Sequence, residues 1–312
     1  MEILIGFEHN YVMPYGVMLY TLVSNNPNEI IHVHAIIGDN VTDKDKDELQ
    51  KTIGDKNHIT FYLFRSDRLK KFPILTWTHF RESCYYRLFA ASILPADVDK
   101  ILYLDGDMVV MHNLNELWET DISNYAVAGV MNQTESVMVH NRLEYPSTKG
   151  YVNNGVLLMN LNYWRKYGLE NQCADFINKN KEKIIMADQD VMNYIVQDSK
   201  MMLPIRYNVQ ENFYYKVIHM TCDYWGRKDE IDNAVLDPYI IHFTGPVKPW
   251  MQECIHPRKE DFLRAKQKTI WRNQPLSVTK TPKKLKQRVK DFFKKYLLFK
   301  KVQEFSVVEN KF

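Results

Sequence analysis

Short apolar runs alternate with amphipathic stretches along the first third of the chain. Runs at 2–7, 30–37 and 58–64 have the length and character of buried strands, whereas 11–24 and 42–53 repeat apolar residues at helical intervals. Strands and helices that alternate at this spacing form βαβ units, which build parallel sheets covered by helices. The pattern therefore predicts an α/β fold.

The same pattern continues to about residue 200 and then becomes irregular. Helices are expected at 83–94, 171–180 and 188–197, and strands at 100–104, 126–131 and 155–160. From about 201 to 250 the chain is rich in Pro, Gly and aromatic residues, which is typical of loops that line ligand sites. We expect one domain over residues 1–273 and an appendage over residues 274–312.

Composition and cysteine spacing limit the class of protein. The 312 residues are 45% hydrophobic and 25% charged, which is ordinary for a globular protein and excludes a disordered or collagen-like chain. No secretory signal follows Met1, and no apolar stretch reaches the roughly 18 residues of a membrane-spanning helix. The four cysteines are scattered, so we expect reduced structural thiols in the cytoplasm.

The positive charge is concentrated in the appendage. Residues 280–301 contain ten Lys or Arg and one Asp, although the whole chain carries only +3, so the body is acidic. Aromatic and aliphatic residues in this segment recur at helical spacing, which favours a basic amphipathic helix on the anionic inner face of the cell membrane. The alternative is a helix docked on the body. The acidic body argues against nucleic acid as a partner.

The strongest chemical signal follows the strand at 100–104. The strand ends in Asp105-Gly106-Asp107, and ligands bind at the carboxyl ends of strands in open α/β sheets. Gly106 permits a bend that would turn both carboxylates toward one ion, and hard oxygen ligands suit Mg²⁺ or Mn²⁺. The alternative is a solvated Asp-Gly turn.

A second apolar run, at 239–243, contains His242 and leads to Gly245 and Lys248. An imidazole that joins two carboxylates favours Mn²⁺ over Mg²⁺. Lys248 has the charge to meet a phosphate. Each residue could instead have no role in binding. A lone histidine in a strand usually belongs to the core, and a lysine in a loop usually belongs to the surface.

Five segments in order resemble glycosyltransferase family 8, whose members are retaining, nucleotide-sugar-dependent enzymes of the GT-A fold. The likeness is strongest to the bacterial lipopolysaccharide galactosyltransferases and glucosyltransferases, and it covers about residues 1–260. The segments are Tyr86-Arg87-Leu88, Tyr103-Leu104-Asp105-Gly106-Asp107, the block at 153–161, Asp188-Gln189-Asp190, and the block at 242–250.

The resemblance implies a Rossmann-like nucleotide-binding mixed sheet, a UDP-sugar donor carrying galactose or glucose, and a glycan or glycolipid acceptor. Mn²⁺, with Mg²⁺ as the alternative, would be held by Asp105, Asp107 and His242. The residues implied at the donor are Phe7, Glu8, Asn10 and Tyr11 at the uridine, Arg87, Asn153, Asp188 and Gln189 at the sugar, Gly245 and Lys248 at the diphosphate, and Asp105 with Gly106 at ribose or sugar hydroxyls.

The resemblance also implies a role at the anomeric carbon for Gln189, with Asp188 beside it. Because an amide oxygen is a poor nucleophile, we expect front-face substitution in which the leaving phosphate takes the acceptor proton. The family more often has Asp at the positions of Glu8 and His9, which bears on the donor and acceptor rather than on the reaction. Aromatic residues at 75–81 and 213–225 are candidates for the acceptor wall, or for ordinary packing.

Two other functions fit parts of the sequence. A phosphatase of the haloacid-dehalogenase type also ends a strand in D-x-D, but Met108-Val109 follows here in place of Gly-Thr. A non-catalytic carbohydrate-binding or membrane-associated scaffold would share the fold. The set of Asp105, Asp107, Asp188, Gln189 and His242 favours an enzyme.

Overall fold

The computed structural model of the protein describes residues 1–65, 67–68, 82–132, 142–215 and 226–278, together with residues 289 and 293. Its Cα positions divide the chain into two units, each with its own sheet. Unit 1 comprises Met1–Val12, Glu29–Asp105 and Asn115–Leu203, and unit 2 comprises Met13–Asn28, Gly106–Leu114 and Pro204–Phe312.

Unit 1 is built on a seven-stranded mixed sheet with the order β3-β2-β1-β4-β7-β6-β8. The first four strands in this order are parallel, whereas β7 runs antiparallel to both β4 and β6. The strands are β1 Glu2–Phe7, β2 His32–Ile37, β3 His58–Leu63, β4 Lys100–Leu104, β6 Val127–Met131, β7 Val152–Asn160 and β8 Lys200–Leu203. The predicted α/β fold with a mixed sheet is confirmed.

Among the described residues, three helices of unit 1, at 43–53, 169–180 and 187–195, follow predicted amphipathic stretches, and three shorter helices were not predicted as such. In chain order the helices are α2 Asp43–Ile53, α3 Ala90–Ile93, α4 Asn115–Trp118, α5 Leu161–Tyr167, α6 Leu169–Asn180 and α7 Ala187–Ile195. At the start of α2, Thr42 and Asp45 form a reciprocal capping box. At its end Gly54 has a φ of 74°, a left-handed conformation that glycine adopts without strain.

The predicted helix at 83–94 is instead a 3₁₀ helix, Glu82–Phe89, followed by the short α3. The physical reason is burial, since the five consecutive residues from Tyr85 to Phe89 are all buried. An amphipathic α-helix turns part of any such run toward solvent. This segment therefore carries Arg87 into the interior beside the core of unit 1, which includes Tyr103, Leu157 and Trp164.

Unit 2 contains a three-stranded sheet with the order β5-β10-β9. Its core joins this sheet to two helices through Val17, Val109, Ile241, Phe243 and Phe262. The elements are α1 Val12–Asn25, β5 Met108–Val110, β9 Val209–Gln210, α8 Lys228–Leu236, β10 Ile240–His242 and α9 Lys259–Gln267. Among the described residues, no helix combines the length and the apolar character needed to cross a lipid bilayer.

Candidate functional site

The register of the small sheet brings Asp107 beside His242. Strand β5 pairs antiparallel with β10, so that Met108 lies opposite His242. The pairing extends one step further, where the Phe243 amide donates to the Asp107 carbonyl at 2.9 Å. Asp107 Oδ1 consequently lies 3.2 Å from His242 Nε2. Two residues far apart in the sequence thus form one polar pair.

A third residue fixes the orientation of the His242 ring. Its Nδ1 lies 2.8 Å from the amide oxygen of Asn208, in a buried contact. An amide oxygen only accepts, so Nδ1 donates to Asn208, and Nε2 is the ring nitrogen directed at Asp107. Metal-binding histidines in proteins are held in the same way by an acceptor behind the ring. Asp107 and His242 therefore fit a divalent cation that takes oxygen and nitrogen ligands.

Lys248 supplies a positive charge to the same carboxylate. Its ammonium donates to Asp107 Oδ2 at 2.6 Å and to the Phe243 carbonyl at 2.8 Å. Burial alone would raise the pKa of Asp107, but the charges of Lys248 and His242 and their hydrogen bonds hold that pKa well below its usual range. Asp107 is therefore an anion over the whole physiological range.

Two glycines leave the backbone close to its neighbours at this site. A Cβ on Gly106 would lie 2.8 Å from the Tyr15 ring, and a Cβ on Gly245 would lie 1.7 Å from a Glu211 carboxylate oxygen. Neither position accommodates a side chain without a shift of its neighbour. At Gly106 the neighbour is a buried ring, so the bend between the two aspartates depends on glycine.

The network of unit 1 is centred on Arg87. This buried guanidinium donates to Asp105 Oδ1 at 3.1 Å and lies 3.2 Å from Asp188 Oδ2. Its charge also lies 4.0 Å from the centre of the Tyr103 ring, whose hydroxyl donates to Asp105 Oδ1 at 2.7 Å. Arg87 therefore ties the end of β4 to the start of α7.

Asp188 is buried and held by two partners. Besides Arg87, the side-chain amide of Asn154 donates to its Oδ2 at 2.9 Å. Desolvation raises the pKa of Asp188 above its usual value, although Arg87 and Asn154 oppose that shift. The residue before it, Ala187, has a φ of 45°. A non-glycine residue in this region is strained, and such strain clusters at functional sites.

Gln189 has one end fixed and the other unpaired. Its Oε1 accepts from the side-chain amide of Asn153 at 3.1 Å and from the backbone amide of Asn154 at 3.2 Å. Its Nε2 is buried and has no hydrogen-bond partner among the described residues. The same holds for Asn154 Oδ1 and for the Tyr85 hydroxyl. Buried polar groups are rarely left unpaired in native proteins, so these atoms indicate a place for a polar ligand.

Asp190, by contrast, is completely buried and fully engaged. Its two oxygens accept from Arg142, from the Tyr151 hydroxyl and from the backbone amides of Ile185 and Met186. The Arg142 pair is bidentate, at 2.5 and 3.0 Å. A carboxylate held by five hydrogen bonds orders the start of α7 and has little freedom to attack a substrate.

A third group of predicted site residues lies where β1 ends. Phe7 is its last residue, and Glu8 lies beside Gly38, where a Cβ would be 3.2 Å from Glu8 Cγ and 3.4 Å from the Tyr86 hydroxyl. Tyr11 closes a short 3₁₀ turn, His9–Tyr11, in which its amide donates to the Glu8 carbonyl at 2.9 Å. Asn10 lies in the same turn. Because β1 and β4 are parallel neighbours, this turn and Asp105 lie at the same edge of the sheet.

The predicted residues thus form three groups: the turn with Phe7, Glu8, Asn10 and Tyr11; the network with Arg87, Asp105, Asn153, Asp188 and Gln189; and the loop group with Gly106, Asp107, His242, Gly245 and Lys248. Sequence reasoning gave no role to Tyr103, Asn154 or Asn208. Tyr103 precedes Asp105 by two residues, and this spacing places both side chains on one face of the extended chain. The contact of Tyr103 with Asp105 could therefore have been predicted from the sequence. Asn208 lies between a 3₁₀ turn and β9 and has no such spacing to indicate its contact.

The candidate acceptor wall is described only in part. Residues 75–81 and 216–225 lie outside the described residues, as does most of the predicted basic helix. Tyr214 is fully buried, with its ring 4.8 Å from that of His256. Tyr215 donates its hydroxyl to Glu211 at 2.5 Å. Of these two tyrosines, Tyr214 therefore packs in the core.

Comparison with known proteins decides between the functions that the sequence left open. A family model described as Glycosyl transferase family 8 matches residues 2–254, most of the chain. The chain belongs to glycosyltransferase family 8. The predicted resemblance is thereby confirmed, and the alternative of a haloacid-dehalogenase phosphatase is wrong.

Three named bacterial proteins are similar over most of the chain. Lipopolysaccharide glucosyltransferase WaaO of Escherichia coli K12 is 26% identical over 309 residues, which cover 96% of this chain and 87% of that protein. A lipopolysaccharide 1,2-glucosyltransferase of the same organism is 28% identical, over 91% of this chain and 83% of that protein. General stress protein A of Bacillus subtilis is 26% identical, over 87% of this chain and 94% of that protein.

Solved structures of this family 8 fold agree. A crystal structure of the galactosyltransferase LgtC with donor and acceptor sugar analogs has a TM-score of 0.77 at 23% identity, over 88% of this chain and 99% of that one. The structure of the bifunctional glycosyltransferase WbbM has a TM-score of 0.68 at 20% identity, over 89% of this chain and 52% of that one. The protein therefore has the GT-A fold, and its membership of family 8 makes it a glycosyltransferase.

Proposed function

We propose that the protein is a retaining hexosyltransferase that moves galactose or glucose from a UDP-sugar to a glycan or glycolipid acceptor in lipopolysaccharide or other surface polysaccharide synthesis. The relatives named for glucose transfer to lipopolysaccharide support this donor and acceptor class. The single observation that carries the proposal is the buried, unpaired Nε2 of Gln189, whose Oε1 is held by Asn153 and Asn154.

The donor's diphosphate needs positive charge, and the loop group offers it. We assign a divalent cation, Mn²⁺ or alternatively Mg²⁺, to the candidate ligands Asp105, Asp107 and His242. Asp107 Oδ1 lies 3.2 Å from His242 Nε2, and Asp105 precedes Asp107 by only two residues. Two hard carboxylates with one imidazole suit Mn²⁺. When bound, the ion neutralises charge on the departing nucleoside diphosphate.

Lys248 is the second source of charge for the diphosphate. Its ammonium is already held near the Asp107 carboxylate by two hydrogen bonds. An ammonium has three protons to donate, so Lys248 can keep the Phe243 carbonyl and exchange Asp107 for a phosphate oxygen. The backbone amide of Gly245, which lies three residues before Lys248, would bind the same group.

The network of unit 1 is proposed to hold the donor sugar. Hydroxyl groups both donate and accept, so they match Gln189 Nε2 as a donor and Asn154 Oδ1 as an acceptor. Arg87 and Asp188 place their charges beside these atoms. At the other end of the donor, Glu8 would accept from the uracil imide, while Phe7, Asn10 and Tyr11 bound the base and ribose.

Front-face substitution fits these contacts better than a covalent intermediate on the chain. Asp190 has both oxygens occupied by five donors, which leaves no lone pair directed at a sugar. Gln189 would orient the donor sugar through Nε2, its free hydrogen-bond donor, and would form no bond at the anomeric carbon. The leaving phosphate would then take the proton of the acceptor hydroxyl on the same face.

The appendage after residue 273 is proposed to bring the enzyme to its acceptor. Its basic and aromatic residues would bind anionic lipid and keep the protein on the inner face of the cell membrane. Liposome co-sedimentation of the full chain and of a chain ending at residue 279 tests this. Loss of binding in the shorter chain is expected, and equal binding would reject the membrane role.

Donor hydrolysis tests the proposed activity without knowledge of the acceptor. The full chain is incubated with Mn²⁺ and a panel of UDP-sugars, and released UDP is measured. We expect slow release from UDP-galactose or UDP-glucose that exceeds release from UDP-N-acetylhexosamines. A chain that binds these sugars without releasing UDP, even when glycan acceptors are added, would indicate the non-catalytic scaffold instead.

A further inference from the structure

A second cluster of polar side chains lies at the opposite end of the large sheet. Glu2 begins β1, and His32 and His34 lie on the neighbouring strand β2. The parallel register places Glu2 directly opposite His32. His34 is two residues further along β2 and therefore lies on the same face. Three potential metal ligands thus share one face of two adjacent strands.

Their ligand atoms already lie close together. Glu2 Oε2 is 3.1 Å from His32 Nδ1 and 2.7 Å from His34 Nε2. All three ligand atoms fall within 4.8 Å of one another. Ligands on a tetrahedral Zn²⁺, with bonds of about 2.0–2.2 Å, are separated by roughly 3.3 Å. Small side-chain rotations would bring the cluster to that geometry.

The nitrogen of each ring that faces away from Glu2 also has a suitable partner. His32 Nε2 lies 2.9 Å from the Thr60 hydroxyl, and His34 Nδ1 lies 3.0 Å from the Tyr62 hydroxyl. A hydroxyl accepts a proton as readily as it donates one. Each ring can therefore give its far N–H to β3 and present the near lone pair to an ion, the arrangement found behind metal-bound histidines.

The exposure of the three side chains also suits a bound ion. The His34 side chain is 1% exposed, while those of His32 and Glu2 are each 35% exposed. The half-exposed ligands leave a path for the ion and room for a water molecule.

We propose that Glu2, His32 and His34 form a zinc site in which a water molecule takes the fourth position. The site is distinct from the donor site. Ile3, the residue after Glu2, lies opposite Leu102, which is three residues before Asp105. Glu2 is therefore about four residues, or roughly 13 Å, from Asp105 along the sheet. Two imidazoles with one carboxylate match the ligand sets of zinc enzymes. The ion would join β1 to β2 at their amino ends and stabilise the sheet.

Zinc binding by the full chain without a polyhistidine tag tests the site. Zn²⁺ is titrated into metal-free protein against a chromophoric chelator, both in the native sequence and in Asp107→Asn, which disables the other candidate metal site. We expect one tight equivalent that persists in Asp107→Asn. Glu2→Gln and His32→Gln, both at half-exposed positions, should each weaken it by roughly 100-fold.

Two further variants separate a metal site from a simple polar cluster. Thr60→Val removes the hydroxyl behind His32 and should weaken zinc by about tenfold, whereas Thr60→Ser should keep the affinity. His112→Gln alters a surface histidine paired with Asp237 and serves as the control with unchanged affinity. In the native sequence Zn²⁺ should raise the melting temperature, and Co²⁺ should give the visible absorption of a tetrahedral site.

The contradicting results are equally specific. The proposal is wrong if no equivalent of zinc is retained in Asp107→Asn, or if Glu2→Gln and His32→Gln bind zinc as tightly as the native sequence. Both results leave the proposed transferase activity untouched, because they concern the other end of the strands.

Discussion

Lys248 donates to Asp107 at 2.6 Å, on the carboxylate oxygen opposite the one that faces His242. One buried anion therefore lies between an ammonium and an imidazole. The antiparallel register of β5 and β10 sets this arrangement, since it places Met108 opposite His242 and brings Asp107 one step further along. Because a lysine ammonium has three protons on a long side chain, Lys248 is suited to exchange Asp107 for a phosphate oxygen when a diphosphate binds.

Removal of the Lys248 charge should weaken donor binding. In Lys248→Met we expect UDP affinity to fall more than tenfold and turnover to fall further, because the diphosphate loses a charge-assisted hydrogen bond. Isothermal titration with UDP and Mn²⁺ measures the first effect and UDP release the second. Lys228→Met, at a surface pair with Asp232, is the matched control. Equal UDP affinity in Lys248→Met would exclude a contact with the diphosphate.

Asp107 should stabilise the fold in a defined pH range. Its folded pKa lies well below the unfolded value of about 3.9. The contribution is therefore fully present above that unfolded value and is lost as the pH falls toward the folded pKa. The difference in unfolding free energy between the native sequence and Asp107→Asn should stay constant from pH 7 to about 5 and shrink below pH 4. Urea titrations measure this difference, and one that grows on acidification would contradict the assignment.

Gln189→Ala should mainly affect the chemical step. We expect kcat to fall by about 10²-fold, because the donor sugar loses the hydrogen bond that orients its anomeric carbon. The donor KM should change much less, because the diphosphate contacts remain. Steady-state kinetics with the preferred UDP-sugar give both values. A variant with native kcat would remove Gln189 from the reacting centre.

Asp190→Asn should act through stability. It leaves the Arg142 guanidinium without its bidentate anion and disturbs the amides at the start of α7. Breaking a buried pair of this kind costs about 3–5 kcal/mol of unfolding free energy. Asp198→Asn, where the side chain is 71% exposed and paired with Lys149, should cost less than about 1 kcal/mol. Intact-mass analysis of the native enzyme with donor should show no glycosyl adduct on Asp190.

The sequence predicted the sheet better than the contacts within the site. Apolar runs located β1, β2 and β4 because burial on both faces leaves a continuous signal, as at 100–104. The 3₁₀ segment Glu82–Phe89 escaped prediction, since helical spacing cannot reveal that five consecutive residues are buried. Asn208 also escaped, because its contact with His242 depends on a pairing of distant strands.

Spacing along one strand was more informative than composition. Tyr103 and Asp105 are two residues apart, so their side chains lie on the same face of the extended chain. Their contact therefore follows from strand geometry alone. The unpaired Nε2 of Gln189 and the full set of partners around Asp190 are properties of three-dimensional packing. Two adjacent residues of one motif therefore have opposite roles that their order in the sequence does not show.

Anomalous diffraction at the manganese edge, from a crystal soaked with Mn²⁺ and UDP, tests the central claim most directly. The account predicts one strong peak within coordination distance of Asp105, Asp107 and His242, with the UDP diphosphate bound to the same ion and Lys248 turned toward a phosphate oxygen. A peak elsewhere, or UDP bound with no ion at these three side chains, would contradict it.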